Sequence, residues 1–316
     1  MPMALFLGVM VCALGLHWGE ACQSCRPAQA EPVSIEIYTQ TGHIVMPVWI
    51  EGEGPYWFVL DTGNQNTTMF AHLAEQLGIE SKPLGEMGGA GAGSISVQMA
   101  SDVHVGLGED GEQLGFVDEV VTILPDSAIL PPFGDKTIAG FLGATTIERF
   151  ITSIDYEDNE LVFTPHDQYT MPQGARVMEL DLAFGFPYFE GSVVPVVNGE
   201  AVDAIRGSFL LDLGDSNGIS IGFEQAKGAG LIDSDDPAQR ILGRGQGIDG
   251  VQFELRVAPA ESIVMGGMKM SDREISFSMT PGGGPPIPNL VGNVGSGSFV
   301  GSTVTLDYQG GRLILE

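Results

Sequence analysis

The chain has 316 residues, of which 43% are hydrophobic and 17% charged, and this composition is typical of a globular protein. Its 45 glycines and 19 prolines favour many turns and short strands, and therefore a β-rich fold. The formal net charge is −28, from 41 acidic against 13 basic residues, which excludes nucleic acid and anionic membranes as partners because their phosphates would be repelled.

The N-terminus is typical of a secretory leader. Residues 4–16 form an uncharged apolar run that is too short to span a bilayer as a helix, and Ala28-Gln29-Ala30 offers a cleavage site. Residues 1–30 are therefore predicted to be a signal peptide, although no Lys or Arg precedes the apolar run. We expect a secreted or periplasmic protein with no membrane span, no cofactor and no metal. Lipidation of Cys22 is an alternative fate for the leader, which holds all three cysteines, Cys12, Cys22 and Cys25.

The first half of the remaining chain is predicted to consist of short strands. Aromatic and β-branched residues at 43–50 and 56–61 predict two strands around a Gly/Pro turn. A short helix follows at 70–79. Next come a hairpin whose tip is the glycine-rich start of 87–99 and a hairpin that turns at Asp158-Asn159.

The second half repeats these elements in the same order. A helix is predicted at 223–232, a glycine-rich hairpin at 243–255 and a hairpin that turns at Gly310-Gly311. Segments 138–163 and 290–315 align without a gap at a spacing of 152 residues. A duplication explains this periodicity.

The duplication also relates two aspartates. Asp61 lies in "WFVLDTG" and Asp212 in "SFLLDLG", and 212 − 61 = 151 is nearly the spacing of the repeat. Two similar β-lobes are therefore predicted, an N-terminal lobe (31–168) that carries D-T-G and a C-terminal lobe (169–316) that carries D-L-G.

These motifs resemble those of the aspartic protease superfamily, in particular its retropepsin-like and bacterial pepsin-like families. The resemblance rests on Phe58-Val59-Leu60-Asp61-Thr62-Gly63, on the Thr67 that follows, and on the apolar-apolar-Gly motifs 138–140 and 290–292. It covers most of residues 33–316. It implies an all-β, bilobal pepsin-like fold, a monomer, and apolar-apolar-Gly motifs that thread behind the active-site loop of their own lobe.

The resemblance also implies the reaction and its residues. One carboxylate takes a proton from water while a neutral carboxylic acid polarises the scissile carbonyl of a peptide or protein substrate. Two close carboxylates share one proton, and aspartic proteases are the standard example of this pairing. Asp61 and Asp212 are the predicted catalytic pair. The predicted supporting loop residues are Thr62, Gly63, Asn64, Leu213, Gly214 and Asp215, and the predicted flap over the substrate contains Gly88, Gly89, Gly91 and Gly93.

Three positions depart from the family pattern. In the family a threonine after each aspartate hydrogen-bonds across to the other loop, which Thr62 can do and Leu213 cannot. Asn64 and Asp215 stand where the family usually has a small hydroxyl residue or alanine. Asn64 is able to donate a hydrogen bond to Asp61, and Asp215, if buried, is expected to raise the pKa values of the pair.

Two alternatives to an aspartic peptidase remain open. Residues 214–218 fit G-x-S-x-G, and a chymotrypsin-like protease would use Ser216 with His72, but that interpretation leaves the duplication unexplained. The other alternative is a pepsin-like protein that has lost catalysis and only binds peptides, which Leu213 and Asp215 favour.

Overall fold

The computed structural model describes residues 31–88, 93–129, 132–183, 185–246, 251–270, 274–281 and 290–316. The predicted signal peptide, with Cys22, and the predicted flap residues Gly89 and Gly91 lie outside the described residues. Residues 31–316 form one compact unit, and the lobe boundary between residues 168 and 169 stays a prediction.

The first half of the chain contains twelve of the described strands and two short α-helices. The strands are β1 (Val33–Glu36), β2 (Val45–Ile50), β3 (Glu53–Leu60), β4 (Thr67–Phe70), β5 (Lys82–Gly88), β6 (Ser94–Ala100), β7 (Val103–Leu107), β8 (Leu114–Asp118), β9 (Val121–Leu124), β10 (Ile138–Leu142), β11 (Ile151–Asp155) and β12 (Glu160–Thr164). The helices are α1 (Ala71–Gln76) and α2 (Ala144–Ile147), and a 3₁₀ turn lies at Asp126–Ala128.

The second half contains the other described strands and a third helix. The strands are β13 (Arg176–Glu179), β14 (Asp181–Ala183), β15 (Phe186–Val197), β16 (Glu200–Ala201), β17 (Ile205–Asp212), β18 (Ile219–Ile221), β19 (Arg240–Gln246), β20 (Gln252–Met265), β21 (Met268–Lys269), β22 (Glu274–Ser278), β23 (Leu290–Gly295), β24 (Thr303–Asp307) and β25 (Arg312–Leu315). The helix is α3 (Phe223–Gly228), and a 3₁₀ turn lies at Ser296–Phe299. Among the described residues, no helix is long and apolar enough to cross a membrane.

Each half builds its own large sheet. The N-terminal sheet has the order β5-β6-β9-β4-β10-β3-β2-β7-β8, and the C-terminal sheet has the order β14-β15-β17-β23-β18-β22-β20-β19. The strand that leads to each predicted catalytic aspartate, β3 or β17, pairs in parallel with the strand of the apolar-apolar-Gly motif, β10 or β23. The all-β, bilobal fold from a duplication is thereby confirmed.

A third sheet joins the two halves. Its order is β1-β12-β11-β24-β25-β13. The order is symmetric about the centre of the sheet, because the repeat relates β11 to β24, β12 to β25 and β1 to β13. At its centre Ser153 pairs with Thr305, and their hydroxyl oxygens are 2.8 Å apart. Because 305 − 153 = 152 is the spacing of the repeat, each residue faces its own counterpart, and a local two-fold axis passes between them.

The strands bury their side chains in two apolar clusters. In β3, Phe58 and Leu60 belong to the main core, whereas Trp57 and Val59 contact a second cluster that also contains Phe141. This alternation is the two-residue period of a strand.

The predicted elements match the observed ones except in detail. The predicted turn at 51–55 is only two residues long, with positive φ angles of 53° at Glu51 and 78° at Gly52, as in a type I′ hairpin turn. Helix α2 was not predicted. It has only four residues, too few to show a helical period in the sequence.

Candidate active site

Asp61 and Asp212 are held at equivalent places in their lobes. Asp61 follows β3, and its backbone N–H donates to the carbonyl of Leu142 on β10 at 2.9 Å. Asp212 ends β17 and pairs with Gly295 on β23. The apolar-apolar-Gly strand therefore lies beside the active-site loop of its own lobe, as the resemblance implied.

The two aspartates meet across the glycines of the opposite loops. A Cβ atom added to Gly63 would lie 2.6 Å from Oδ1 of Asp212, and one added to Gly214 would lie closer still to Oδ1 of Asp61. Neither position has room for a side chain, so glycine is needed for this close approach. The two carboxyl groups lie close enough for each to shift the pKa of the other. The structure thus brings together the pair that the repeat relates.

The environment separates the pKa values of the pair. Burial raises the pKa of Asp61 to about 6, the nearby charge of Asp215 adds to this, and hydrogen bonds from Gly63 N–H (2.9 Å to Oδ1) and from Asp212 oppose it. Burial also raises the pKa of Asp212 well above its usual range, with the charges of Asp61 and Asp215 adding to the effect. The larger rise at Asp212 favours a pair in which Asp212 holds the one shared proton and Asp61 is ionised. Such a split assigns a base and an acid within one pair.

Asp215 is a third carboxyl group beside the pair. Its Oδ1 accepts hydrogen bonds from the backbone N–H of Asn217 at 2.9 Å and from its Nδ2 at 2.6 Å. Burial raises the pKa of Asp215, and the two bonds from Asn217 oppose that shift. Its charge acts on both Asp61 and Asp212 in the direction expected from the sequence.

Thr62 joins the two loops from one side only. Its hydroxyl donates to the carbonyl of Leu211 at 2.6 Å and accepts from the backbone N–H of Leu213 at 2.8 Å. Thr62 and Leu213 are both fully buried. The Leu213 side chain packs in the main core, so the reciprocal bond that a second threonine would make is replaced by apolar contact.

The prediction that Asn64 donates to Asp61 is wrong. Its Nδ2 donates to the hydroxyl of Thr68 at 2.8 Å, because Thr68 presents an acceptor four residues along the same loop and strand. Asn64 still supports the loop through its backbone, since its carbonyl accepts from Ala144 N–H at 2.9 Å.

A partly buried ion pair that was not predicted from the sequence contacts Thr67, which follows the first active-site loop. Thr67, which the resemblance singled out, donates a short hydrogen bond to Oδ2 of Asp118. The other carboxylate oxygen of Asp118 accepts from Arg149 at 3.1 Å, and the Asp118 side chain is 1% exposed. These residues are distant in the chain and form no motif, so no signal in a single sequence points to them.

Asn293 is a second residue that the sequence analysis missed. Its Nδ2 donates to Oδ2 of Asp212 at 3.2 Å. Asn293 directly follows the apolar-apolar-Gly motif of the C-terminal lobe, where the first repeat has Phe141. This difference between aligned repeats is the signal that could have identified it.

The predicted flap is the hairpin of β5 and β6. Gly88 ends β5, Gly93 immediately precedes β6, and the two strands pair in antiparallel fashion from Lys82↔Met99 to Gly88↔Ser94. Met87 and Ile95 pack against the second apolar cluster, which includes Val59, two residues before Asp61. Two side chains of the hairpin therefore pack in the same apolar cluster as a residue of the strand that leads to Asp61.

His72 and Ser216, the residues of the serine-protease alternative, contact different parts of the protein. Nδ1 of His72 is 2.9 Å from Oδ1 of Asp126. Ser216 lies against Gly42, where an added Cβ would be 3.0 Å from the serine Cβ. Across the described parts of the chain, no hydrogen bond joins Ser216 to a histidine.

Comparison with known proteins gives a family match for part of the chain. Residues 46–145 match a family model described as "Aspartyl protease". This segment carries Asp61, Thr62 and Gly63, and the resemblance to the aspartic protease superfamily is thereby confirmed for it. No curated protein matches the chain.

Two solved structures are similar to the chain at low identity. Aspartic proteinase from Irpex lacteus is 12% identical with a TM-score of 0.49, and the match covers 90% of this chain and 96% of that one. Basic 7S globulin from soybean is 9% identical with a TM-score of 0.48, and the match covers 92% of this chain and 95% of that one.

Proposed function

We propose that this protein is an exported aspartic peptidase that hydrolyses peptide bonds with a water molecule activated between Asp61 and Asp212. The observation that carries the proposal is the reciprocal packing of two repeat-related carboxyl groups, each of which lies against the glycine of the other loop. Two carboxyl groups this close share one proton near neutral or acid pH.

The split pKa values assign the roles. Asp61, with a pKa of about 6, is the base that accepts a proton from the attacking water. Asp212 is the acid, and it transfers its proton to the carbonyl oxygen as the water oxygen bonds to the carbonyl carbon. When the tetrahedral diol collapses, the C–N bond breaks and the proton on Asp61 goes to the leaving amine. A diol hydroxyl returns a proton to Asp212, which restores the pair.

The test uses purified protein, a denatured casein substrate, and the variants Asp61→Asn and Asp212→Asn. Each amide is nearly isosteric with the carboxyl group but cannot exchange its proton, so both variants should lose cleavage. At pH 4, below the raised pKa values of the pair, they should retain the parent's thermal unfolding midpoint. Asp235→Asn, an exposed aspartate, is the matched control and should cleave like the parent. Inhibition by pepstatin should accompany the parent's activity.

A peptide-binding protein without catalysis is the second candidate, and the one-sided contact of Thr62 favours it because Leu213 leaves one loop without its hydroxyl partner. In that case the parent would cleave no substrate over the whole acid range. The Asn variants would then change only its affinity for peptides.

Export is part of the proposal and rests on the leader-like residues 1–30. Expression of the full chain in a bacterial host should yield a periplasmic or secreted product whose N-terminal residue is Glu31. A product that stays in the cytoplasm with its first thirty residues attached would contradict this part.

A further inference from the structure

Oδ2 of Asp212 accepts a hydrogen bond from a residue that differs between the two repeats. In the C-terminal lobe Asn293 lies opposite Leu210 in the pairing of β17 with β23, so it stands on the same face of the sheet as Asp212, two residues further along. From there its Nδ2 reaches Oδ2 of Asp212 at 3.2 Å.

The N-terminal lobe has no such donor at the matching place. Phe141 lies opposite Val59 in the pairing of β10 with β3, just as Asn293 lies opposite Leu210. Its ring is 6% exposed and packs in the second apolar cluster. The duplicated site is therefore asymmetric at this position, with an amide on one side and a hydrocarbon on the other.

An amide N–H that donates to Oδ2 makes this oxygen an acceptor, so the proton of a neutral Asp212 resides on Oδ1. Oδ1 is the oxygen nearer to Gly63 of the opposite loop, since an added Cβ there would lie 2.6 Å from Oδ1 and 3.1 Å from Oδ2. The proton is thus directed towards the loop that carries Asp61.

We propose that Asn293 is a positioning residue of the aspartate pair, which fixes the orientation of the Asp212 carboxyl group and directs its proton towards Asp61. The role in catalysis rests on the proposed function. The positioning itself is a property of the two side chains, and it can be measured whether or not the protein cleaves peptides.

Other groups that act on Asp212 are the same in the test and its controls. Asp61 and Asp215 bear the nearby charges. Tyr308 is buried and senses the charges of both aspartates. Burial raises its pKa, and the charges of Asp61 and Asp212 add to this effect. None of these three residues is changed when Asn293 is replaced, apart from the deliberate removal of Asp61 described next.

The experiment follows the titration of Asp212 by ¹³C NMR of carboxyl-labelled aspartate. It is done in the Asp61→Asn background, so that Asp212 titrates without the charge of Asp61, while Asp215 is retained in every variant. A hydrogen bond to the ionised carboxylate lowers the pKa, so Asn293→Leu should raise the midpoint of Asp212 by about 1 pH unit. Asn293→Ala, which leaves more space, should shift it in the same direction and serves if the leucine variant does not fold.

Phe141→Leu is the matched control at the equivalent position, and it should leave the Asp212 midpoint where it is in the Asp61→Asn background. With Asp61 intact, Asn293→Leu should lower kcat about tenfold, as expected for one hydrogen bond to a charged group, and leave KM unchanged. An unchanged midpoint in both Asn293 variants, with only a lower unfolding temperature, would overturn the inference. A parent without peptidase activity would refute the proposed function, and the NMR result would stand separately.

Discussion

Thr62 holds the loop of the opposite lobe at Leu213, whose backbone N–H donates to the threonine hydroxyl at 2.8 Å. The same hydroxyl donates to the carbonyl of Leu211 at 2.6 Å, so one buried side chain bridges both ends of a tripeptide centred on Asp212. Leu213 has no hydroxyl group with which to form the reciprocal hydrogen bond. The alignment of the two carboxyl groups therefore depends on Thr62 more than it would in a symmetric pair of loops.

Replacement of Thr62 by valine should therefore destabilise the protein and lower its activity. Thr62→Val keeps the shape but removes both hydrogen bonds and leaves two buried backbone groups unpaired, at a cost of about 2–4 kcal/mol. Chemical denaturation measures this loss. Thr62→Ser retains the hydroxyl and is the control. Equal stability of the valine and serine variants would show that the bridge contributes nothing.

Ser216 and His72 should be dispensable. In the aspartic mechanism Ser216 is a loop residue, and His72 pairs with Asp126 on an exposed surface. Ser216→Ala and His72→Ala should each retain most of the parent's kcat/KM on casein. A chymotrypsin-like mechanism demands the reverse, namely loss of activity in both alanine variants and survival of Asp61→Asn.

The stability of the protein should fall as pH rises through 6. Asp61 has a folded pKa of about 6 against 3.8 for a free aspartate, so the folded state holds this proton more tightly than the unfolded state does. Its contribution is complete below pH 3.8 and is lost as pH rises through 6, and it amounts to roughly 3 kcal/mol. Thermal unfolding from pH 4 to 7 measures it. Asp61→Asn should reduce this dependence without abolishing it, because the pKa values of Asp212 and Asp215 are raised as well, whereas Asp235→Asn should leave it unchanged.

Removal of the Asp215 charge should move the activity optimum to lower pH. The Asp215 charge raises the pKa values of both Asp61 and Asp212, so Asp215→Asn should lower both limbs of the pH profile of kcat/KM. The amide oxygen can still accept the bonds from Asn217, which preserves the loop. A profile that moves upward, or one that Asp235→Asn moves equally, would contradict this role.

Much of the fold could be predicted because the order of sequence motifs occurs twice in the chain. The equivalence of Asp61 and Asp212 and the repeated hairpins follow from one spacing, and the meeting of the two aspartates follows from the resemblance to aspartic proteases. Several side-chain contacts could not be predicted from the sequence. Asn64 turns to Thr68 through a choice among local acceptors that no pattern encodes. The ion pair of Asp118 and Arg149 forms between residues without any motif, so only the folded chain brings them together.

The two-fold axis between Ser153 and Thr305 has a consequence for the covalent chain. Residues 165–175, all described in the structure, connect β12 to β13 without a strand, while β11 and β24 join the halves through their own backbone hydrogen bonds. A single nick in this connection would leave both aspartates in place, held by a sheet rather than by a peptide bond. The first half alone would expose β11 as an open edge. Two copies could pair there about the same axis, which would place one Asp61 opposite another in a symmetric dimer.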